Sequence, residues 1–293
     1  MRGFSELHPA VQLAWLLSVA AVTMFTSSPV LSAAALLGGL ACCLALRPRV
    51  VTLREIGVWG ALFLLVTLTN PLFSQNGETV LVAPLGRPIT AEALAYGAAA
   101  GGMLVGVLAW CKCLSAVLTG DRLLYLFGRA VPRLSLVLSM TMHFLPVLQR
   151  QMKQVEETQR TMGLFTAEGR LARIKSHGRV LVAMLSRSLE DAMDTAASMR
   201  ARGYGTARRT SLSLFRMTAG DILLLSVVLV CLAVVLVGAA LGAVTFTYYP
   251  HFGRIGTSPL AWAVYLAFGV LSFGPAALEA KEGVLWSFYR SRI

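Results

Sequence analysis

Charged side chains are scarce in this chain of 293 residues, in which Asp, Glu, Lys and Arg together occupy only 14% of the positions. Hydrophobic residues make up 56% of the sequence, and the mean hydropathy is +0.69. An ordinary soluble domain carries about 25% charged residues, so the composition excludes that class. Several apolar stretches are long enough to cross about 30 Å of hydrocarbon as helices of roughly 20 residues, and none alternates like a barrel strand. We therefore expect an all-α, polytopic membrane protein.

The sequence also lacks the motifs that carry catalysis or bind cofactors. It contains no G-x-x-x-x-G-K-[ST] phosphate loop, no H-E-x-x-H and no G-x-S-x-G, so we expect no ATP hydrolysis by the chain alone and no metal or acyl chemistry. The five cysteines lie in or beside apolar stretches, and Cys111-Lys112-Cys113 lacks the spacing and the second ligand pair of a zinc site. We predict that the protein is not an enzyme and has no cofactor or metal of its own.

Basic residues are concentrated in the middle of the chain. Residues 112–216 hold 17 of the 26 Lys and Arg residues but only 7 of the 14 Asp and Glu residues. Nucleic-acid binding would also need such an excess, but the flanking apolar stretches make the positive-inside rule the simpler explanation. We therefore predict that this region is cytoplasmic and that the protein does not bind nucleic acid.

Six apolar stretches are predicted to span the membrane. They are residues 11–27, 29–46, 56–73, 90–111, 217–241 and 258–274. With six spans, both termini of this cell-membrane protein are predicted to be cytoplasmic. The chain then divides into N-terminal spans (1–119), a cytoplasmic region (120–216), and C-terminal spans with a tail (217–293). In the fourth span, two G-x-x-x-G patterns predict close helix packing: Gly97 with Gly101 and Gly102 with Gly106.

Two long amphipathic helices are predicted in the cytoplasmic region. In residues 132–163, apolar side chains recur every three or four residues along one face, although Pro146 should kink the helix. The second helix has the same design. The two stripes comprise Leu138, Thr141, Leu145, Leu148, Met152, Val155, Gln159 and Met162 in the first helix, and Val182, Leu185, Leu189, Ala192, Ala196, Met199 and Gly203 in the second.

Each stripe ends beside a glycine, at Met162-Gly163 in the first helix and at Arg202-Gly203 in the second. One interpretation is that both glycines simply end their helices in a left-handed conformation, with Arg favoured near the C-terminus by the helix dipole. That interpretation leaves unexplained why a membrane protein extends two helices of about 30 residues, each roughly 45 Å long, into the cytoplasm. A shared docking role for the two ends is the alternative.

Five segments carry a more specific pattern: "LHPAVQLAW" (7–15), "NPLF" (70–73), "GRPIT" (86–90) followed by Glu92, "LPVLQRQMKQVEETQRTMG" (145–163) and "MRARGYG" (199–205). Over most of its length the chain thereby resembles the transmembrane T component of energy-coupling factor (ECF) transporters, a branch of the ABC transporters that imports vitamins and transition metals. Members of that family carry two Ala-Arg-Gly signatures at the ends of two cytoplasmic coupling helices. The resemblance implies that each helix end docks on one of two ATP-binding-cassette ATPase subunits. It also implies that apolar faces of the same region hold a small hydrophobic, substrate-binding membrane subunit.

The second signature is complete at Ala201, Arg202 and Gly203. The first is degenerate, because Thr161-Met162-Gly163 keeps only the glycine and has Met in the place of Arg, with Arg160 nearby. We hypothesise that Met162 offers one ATPase an apolar side chain and that Arg202 offers the other a charge, which would suit two non-identical ATPases. The contacts with the substrate-binding subunit are assigned to Leu138, Leu145, Leu148, Met152, Val182, Leu185 and Leu189.

Two other classes of protein remain open. An intramembrane lipid-modifying enzyme would hold a phosphorylated headgroup with basic side chains, here Arg170, Arg173, Lys175 and Arg179, but it normally needs acidic metal ligands, and only Glu168 is near. A secondary transporter would show an internal repeat and ionisable residues at mid-membrane, and neither is seen. In an ECF transporter the choice of solute would lie in the substrate-binding subunit.

Overall fold

The computed structural model of the chain describes residues 3–46, 52–73, 78–82, 89–163, 170–206, 215–249 and 252–290. The chain divides into two compact units. Unit 1 comprises Met1–Arg122 and Phe215–Ile293, and unit 2 comprises Leu123–Leu214. The chain therefore leaves unit 1 after Arg122 and returns to it at Phe215.

Helices dominate the described residues. A 3₁₀ turn (Phe4–Glu6) precedes the first helix, and two short strands, β1 (Val80–Val82) and β2 (Ile89–Thr90), pair as an antiparallel hairpin. The α-helices are α1 (Pro9–Phe25), α2 (Pro29–Leu46), α3 (Leu53–Phe73), α4 (Ala91–Val117), α5 (Gly120–Ala130), α6 (Pro132–Thr161), α7 (Arg170–Ala201), α8 (Ala219–Ala240) and α9 (Pro259–Arg290).

Five helices of unit 1 are long and apolar enough to cross a membrane, namely α2, α3, α4, α8 and α9. Helix α1 is also apolar but has only 17 residues. These six helices correspond to the six predicted stretches and agree with most of their ends to within three residues. The predicted all-α, polytopic membrane fold is confirmed.

Two helices continue beyond their predicted ends. Helix α4 runs past Lys112 to Val117, and α9 runs past residue 274 to Arg290. Lys112 lies inside α4, where its ammonium group forms an ion pair with Glu55 of α3. In α9, Pro275 lies inside the helix. A membrane helix tolerates the loss of one backbone hydrogen bond where neighbouring helices support the chain.

Helices α2 and α4 form the centre of unit 1. Helix α4 packs against α1, α2 and α3, while α2 also packs against α9, which contacts α8. Trp110 of α4 is only 1% exposed, and its indole N–H donates to the carbonyl of Ala35 in α2 at 3.0 Å. Trp15 of α1 likewise donates to the carbonyl of Leu271 in α9 at 2.8 Å. These satisfied indoles fill the core and fix the neighbouring helices against each other.

The glycines of α4 lie at its contacts with the neighbouring helices, as the G-x-x-x-G patterns predict. An ideal Cβ at Gly97 would lie 2.8 Å from a backbone oxygen of α3, and one at Gly101 would lie 3.1 Å from another. Gly102 and Gly106 instead approach Leu36 of α2. One glycine pair therefore serves the contact with α3 and the other serves the contact with α2.

Unit 2 contains most of α5 together with α6 and α7. Helix α6 has 30 residues and α7 has 32, and the two pack against each other. Gln151 of α6 donates to the carboxylate of Asp191 in α7 at 3.3 Å. The two predicted amphipathic helices are confirmed, and α6 continues through Pro146. The short helix α5 was not predicted, because its 11 residues lie between two much longer patterns.

Candidate functional site

The end of α7 has the hydrogen bonds of a Schellman motif. Helix α7 ends at Ala201, and Gly203 has a φ of +76°. The Gly203 N–H donates to the carbonyl of Arg200 at 2.9 Å, and the Tyr204 N–H donates to the carbonyl of Met199 at 3.0 Å. These two bonds close a helix around a left-handed residue, a conformation that favours glycine. The interpretation of Gly203 as a left-handed helix end is confirmed.

The end of α6 has a similar backbone geometry. Helix α6 ends at Thr161, Met162 follows as the cap residue, and Gly163 has a φ of +73°. The Gly163 N–H donates to the carbonyl of Arg160 at 3.0 Å. No atom of the described residues lies within 4 Å of an ideal Cβ at Gly163, so the backbone angle, rather than crowding within the chain, accounts for this glycine. Residues 160–163 are called the first tip below, and residues 201–203 the second tip.

Gly203→Ala is expected to destabilise unit 2, because an alanine held at positive φ costs about 1–2 kcal/mol. The apparent Tm of the purified protein in detergent should therefore fall. Gly178→Ala is the matched control, since no described atom lies within 4 Å of an ideal Cβ at this position inside α7. Alanine is favoured over glycine in a helix interior by roughly 0.5–1 kcal/mol, so this variant should raise the Tm. Equal changes of Tm in the two variants would contradict the assignment of Gly203 as a left-handed helix end.

The two tips differ in charge. Arg160 forms an ion pair with Glu156, one turn earlier in α6, at 2.7 Å, so the basic residue nearest to Met162 already has an acidic partner within its own helix. Met162 itself is 69% exposed. Arg202 is exposed, and its guanidinium group makes no hydrogen bond or ion pair with any described residue. Within the described structure, the first tip thus presents a thioether and the second an unpaired cation.

The apolar stripes of α6 and α7 are largely exposed. Six of the seven predicted contact residues are between 45% and 66% exposed, and the seventh, Leu148, is half-buried. The six are Leu138, Leu145, Met152, Val182, Leu185 and Leu189. Val137, Met142, Leu181 and Met193 are further exposed apolar side chains on the same two helices. Exposed apolar side chains that recur along both helices indicate a contact with another protein or with lipid.

Tyr204 is a surface residue that the sequence patterns did not single out. It directly follows the second tip, is exposed, and precedes Gly205, which has a φ of +91°. Tyrosine and arginine are the residue types most enriched where binding energy is concentrated in protein interfaces. The presence of Tyr204 two residues after Arg202 was the signal that could have extended the predicted site by one residue.

The basic cluster of the lipid-enzyme alternative falls mostly outside the described side chains. Glu168 lies outside the described residues, and of the four basic side chains only that of Arg179, which is exposed, is described. Across the described ranges, no three His, Cys, Asp or Glu side chains lie close enough to hold a metal ion.

The fold defines a class of protein: a polytopic helical membrane protein with a separate unit of long amphipathic helices that end in two similar tips. Residues 4–213 match the family described as "Cobalt transport protein" (CbiQ). The chain belongs to this family, which comprises the T components of ECF transporters, as its sequence motifs indicated.

Three curated relatives are each named "Energy-coupling factor transporter transmembrane protein EcfT". The protein of Lactobacillus helveticus is 29% identical over 116 residues, which is 39% of this chain and 42% of the relative. The protein of Staphylococcus aureus is 30% identical over 161 residues (51% and 60%), and that of Listeria innocua is 30% identical over 177 residues (55% and 66%). The chain thus spans less than two thirds of the length of these relatives. By name, the relatives are transporter components rather than enzymes.

Proposed function

We propose that this chain is the transmembrane scaffold subunit of an ECF-type ABC importer. In this role it couples ATP hydrolysis by two ATPase subunits to movement of a substrate-binding membrane subunit that takes up a vitamin or a metal ion. The proposal depends on one observation above all, which is the pair of helix ends with left-handed glycines and exposed tips. Two such tips suit two ATPases, and the chain itself catalyses nothing.

Each tip is proposed to dock in a groove of one ATPase. A glycine at the turn allows the partner surface to approach the helix end closely. At the second tip, the planar fork of Arg202 beside Ala201 suits a carboxylate or several carbonyl groups. At the first tip, the flexible thioether of Met162 beside Thr161 suits an apolar pocket. The different chemistry of the two tips favours two non-identical ATPases.

The apolar stripes of α6 and α7 are proposed to contact the substrate-binding subunit. Covering apolar surface is favourable by about 25 cal/mol per Å², and six of the seven assigned side chains are 45–66% exposed. A small hydrophobic membrane protein offers the complementary apolar surface. Lipid is the other possible cover, and the Leu185 variant described below distinguishes the two.

Coupling is proposed to occur by rigid-body movement of α6 and α7. Their 30 and 32 residues correspond to lengths of about 45–48 Å. Both the tips and the stripes belong to these two helices, which pack against each other and share the hydrogen bond between Gln151 and Asp191. Displacement of the tips by the ATPases would therefore displace the substrate-binding subunit as well.

We place the protein in the cell membrane with residues 120–216 and both termini in the cytoplasm. ATP is available on that side, and the excess of basic residues in positions 112–216 supports this orientation through the positive-inside rule. The regions 1–119 and 217–293 then supply the membrane-spanning helices.

Purification of the tagged chain from its native membrane in mild detergent, followed by mass spectrometry, tests the proposal. We expect two ATP-binding-cassette subunits and one small hydrophobic membrane protein to co-purify. A chain that purifies alone and modifies a phosphorylated lipid would overturn the proposal and would favour the lipid-modifying enzyme.

Leu185→Glu is expected to lower the recovery of the substrate-binding subunit by about tenfold or more, because the interface would bury an uncompensated carboxylate. Recovery of both ATPases should be unchanged, since Leu185 is distant in sequence from both tips. Ser186→Glu is the matched control, because it adds the same charge at an exposed position on another face of α7. Loss of the ATPases together with the small subunit, or an equal effect of both variants, would contradict the assignment of this surface to the substrate-binding subunit.

A further inference from the structure

Residues 4–12, which comprise the 3₁₀ turn and the start of α1, connect parts of unit 1 that are far apart in sequence. Hydrogen bonds join this segment to Arg122, to the beginning of α8 and to α9. Arg122 is the last residue before the chain enters unit 2, and α8 begins four residues after the chain returns at Phe215. Residues 4–12 are called the brace below.

The brace is attached first to the point where the chain leaves unit 1. The Arg122 guanidinium donates through Nη2 to the carbonyl of Ser5 at 2.8 Å, and through Nη1 to the Oε1 of Gln12 at 2.9 Å and the carbonyl of Val117 at 3.0 Å. Gln12 is fully buried, and its Nε2 donates to the carbonyl of Phe4 at 2.7 Å. One planar fork with several fixed donors thus holds the brace against the end of α4.

The brace is attached next to the point where the chain returns. Thr218 and Asp221 form a capping box at the start of α8, in which the Asp221 Oδ2 accepts from the Thr218 N–H at 2.9 Å and from its hydroxyl at 2.8 Å. The other oxygen of the same carboxylate accepts from the N–H of His8 at 3.4 Å. Asp221 is buried, so these protein donors replace water around the carboxylate.

A third attachment joins the brace to α9. Glu279 accepts from the Ser5 N–H at 3.1 Å and from the Ser5 hydroxyl at 3.2 Å. Just before the brace, an ideal Cβ at Gly3 would overlap the carboxylate of Glu282, so the backbone here approaches α9 closely. The brace thereby links α4, which precedes the point where the chain leaves unit 1, to α8 and α9, which follow the point where it returns.

We propose that the brace, positioned by Arg122, holds the point where the chain leaves unit 1 and the point where it returns in a fixed position relative to each other. Unit 2 then moves relative to a fixed attachment in unit 1. Arg122 is a positioning residue in this proposal and contacts neither an ATPase nor a substrate. Hydrogen bonds to buried or half-buried groups hold each attachment, and removal of the Arg122 fork leaves the Gln12 and Ser5 oxygens without their donor, which is unfavourable. The purpose given to the brace rests on the proposed coupling function.

A brace that only stabilised the fold would change the Tm and nothing else, so the test needs a geometric readout. Spin labels are introduced at the exposed positions Asp194 in unit 2 and Lys281 in α9, in a background with Cys111→Ser and Cys231→Ser because the other three cysteines are buried. The distance distribution between the labels is measured by pulsed electron resonance in the purified complex, with and without ATP. We expect Arg122→Gln to broaden this distribution about twofold while the complex stays assembled.

Lys112→Gln is the control, because it removes a basic residue ten positions earlier whose partner, Glu55, lies in α3 and not in the brace. Its distribution should stay as narrow as that of the parent protein. If Arg122→Gln does not assemble, Arg122→Lys keeps the charge, loses the fork, and should broaden the distribution by a smaller amount. An unchanged width of the distance distribution in an assembled Arg122 variant would overturn the proposed role of the brace. Absence of ATPases from the parent complex would instead overturn the proposed function, and the comparison of widths would still test the brace.

Discussion

Replacing Arg202 with alanine is expected to remove one ATPase from the purified assembly and to leave the other bound. Truncation of an arginine at the centre of an interface costs about 2 kcal/mol or more, which corresponds to roughly 30-fold in Kd. Because the Arg202 guanidinium has no partner within the described structure, its hydrogen-bonding capacity is available to an ATPase. Quantitative mass spectrometry of the co-purified subunits measures the effect. Arg200→Ala, which removes a neighbouring exposed arginine, is the control and should retain both ATPases.

Met162→Arg is the reciprocal variant. It restores the arginine that the family signature carries at this position, and in an apolar pocket the new charge would be unpaired. We therefore expect the assembly to lose the other ATPase and to keep the one that Arg202 binds. Equal loss of both ATPases in the Arg202→Ala variant would contradict the assignment of one tip to each subunit.

Gly97→Val is expected to destabilise unit 1 more than any other single glycine replacement in the contact between α3 and α4. An ideal Cβ at Gly97 would lie 2.8 Å from the carbonyl oxygen of Thr67 and 3.1 Å from its Cα. These are backbone atoms, so the added atoms force the two helices apart. Overpacking of this kind costs about 1–3 kcal/mol and occasionally more. The apparent Tm in detergent should fall by several degrees.

Gly60→Val in α3 is the matched control for that prediction. Gly60 is exposed, and an ideal Cβ there meets no described atom within 4 Å. Its Tm should stay close to that of the parent protein or rise, because valine is the better helix former. A fall of the same size in both variants would show that the close approach of α3 to α4 is not the cause.

Element positions in unit 1 follow directly from the sequence, because an apolar stretch long enough to span a bilayer leaves little choice of structure. The end of α4 was misplaced because a charged residue can lie inside a membrane helix when a neighbouring helix supplies its partner. Lys112 reads as the end of a helix, yet Glu55 lies 57 residues earlier and pairs with it. The last span was predicted to end at residue 274, whereas α9 continues through Pro275 to Arg290.

The two tips were also predictable, since glycine after a helix is a strong signal for positive φ, and both glycines adopt it. The ion pair of Arg160 follows from its spacing of four residues from Glu156. Arg122 could not be assigned in the same way, because the partner Gln12 lies 110 residues away and no periodicity relates them. That Arg202 binds an ATPase rests on the family signature and on its exposure, and it stays a prediction.

The attachments of residues 4–12 have a consequence for the synthesis of the protein. Ser5 bonds to Glu279, 274 positions later, and His8 bonds to Asp221, 213 positions later. These groups can meet only after α8 and α9 have been synthesised and have entered the bilayer. Until then, water must satisfy the polar groups of Ser5 and His8, so these contacts form later than those among α1 to α4.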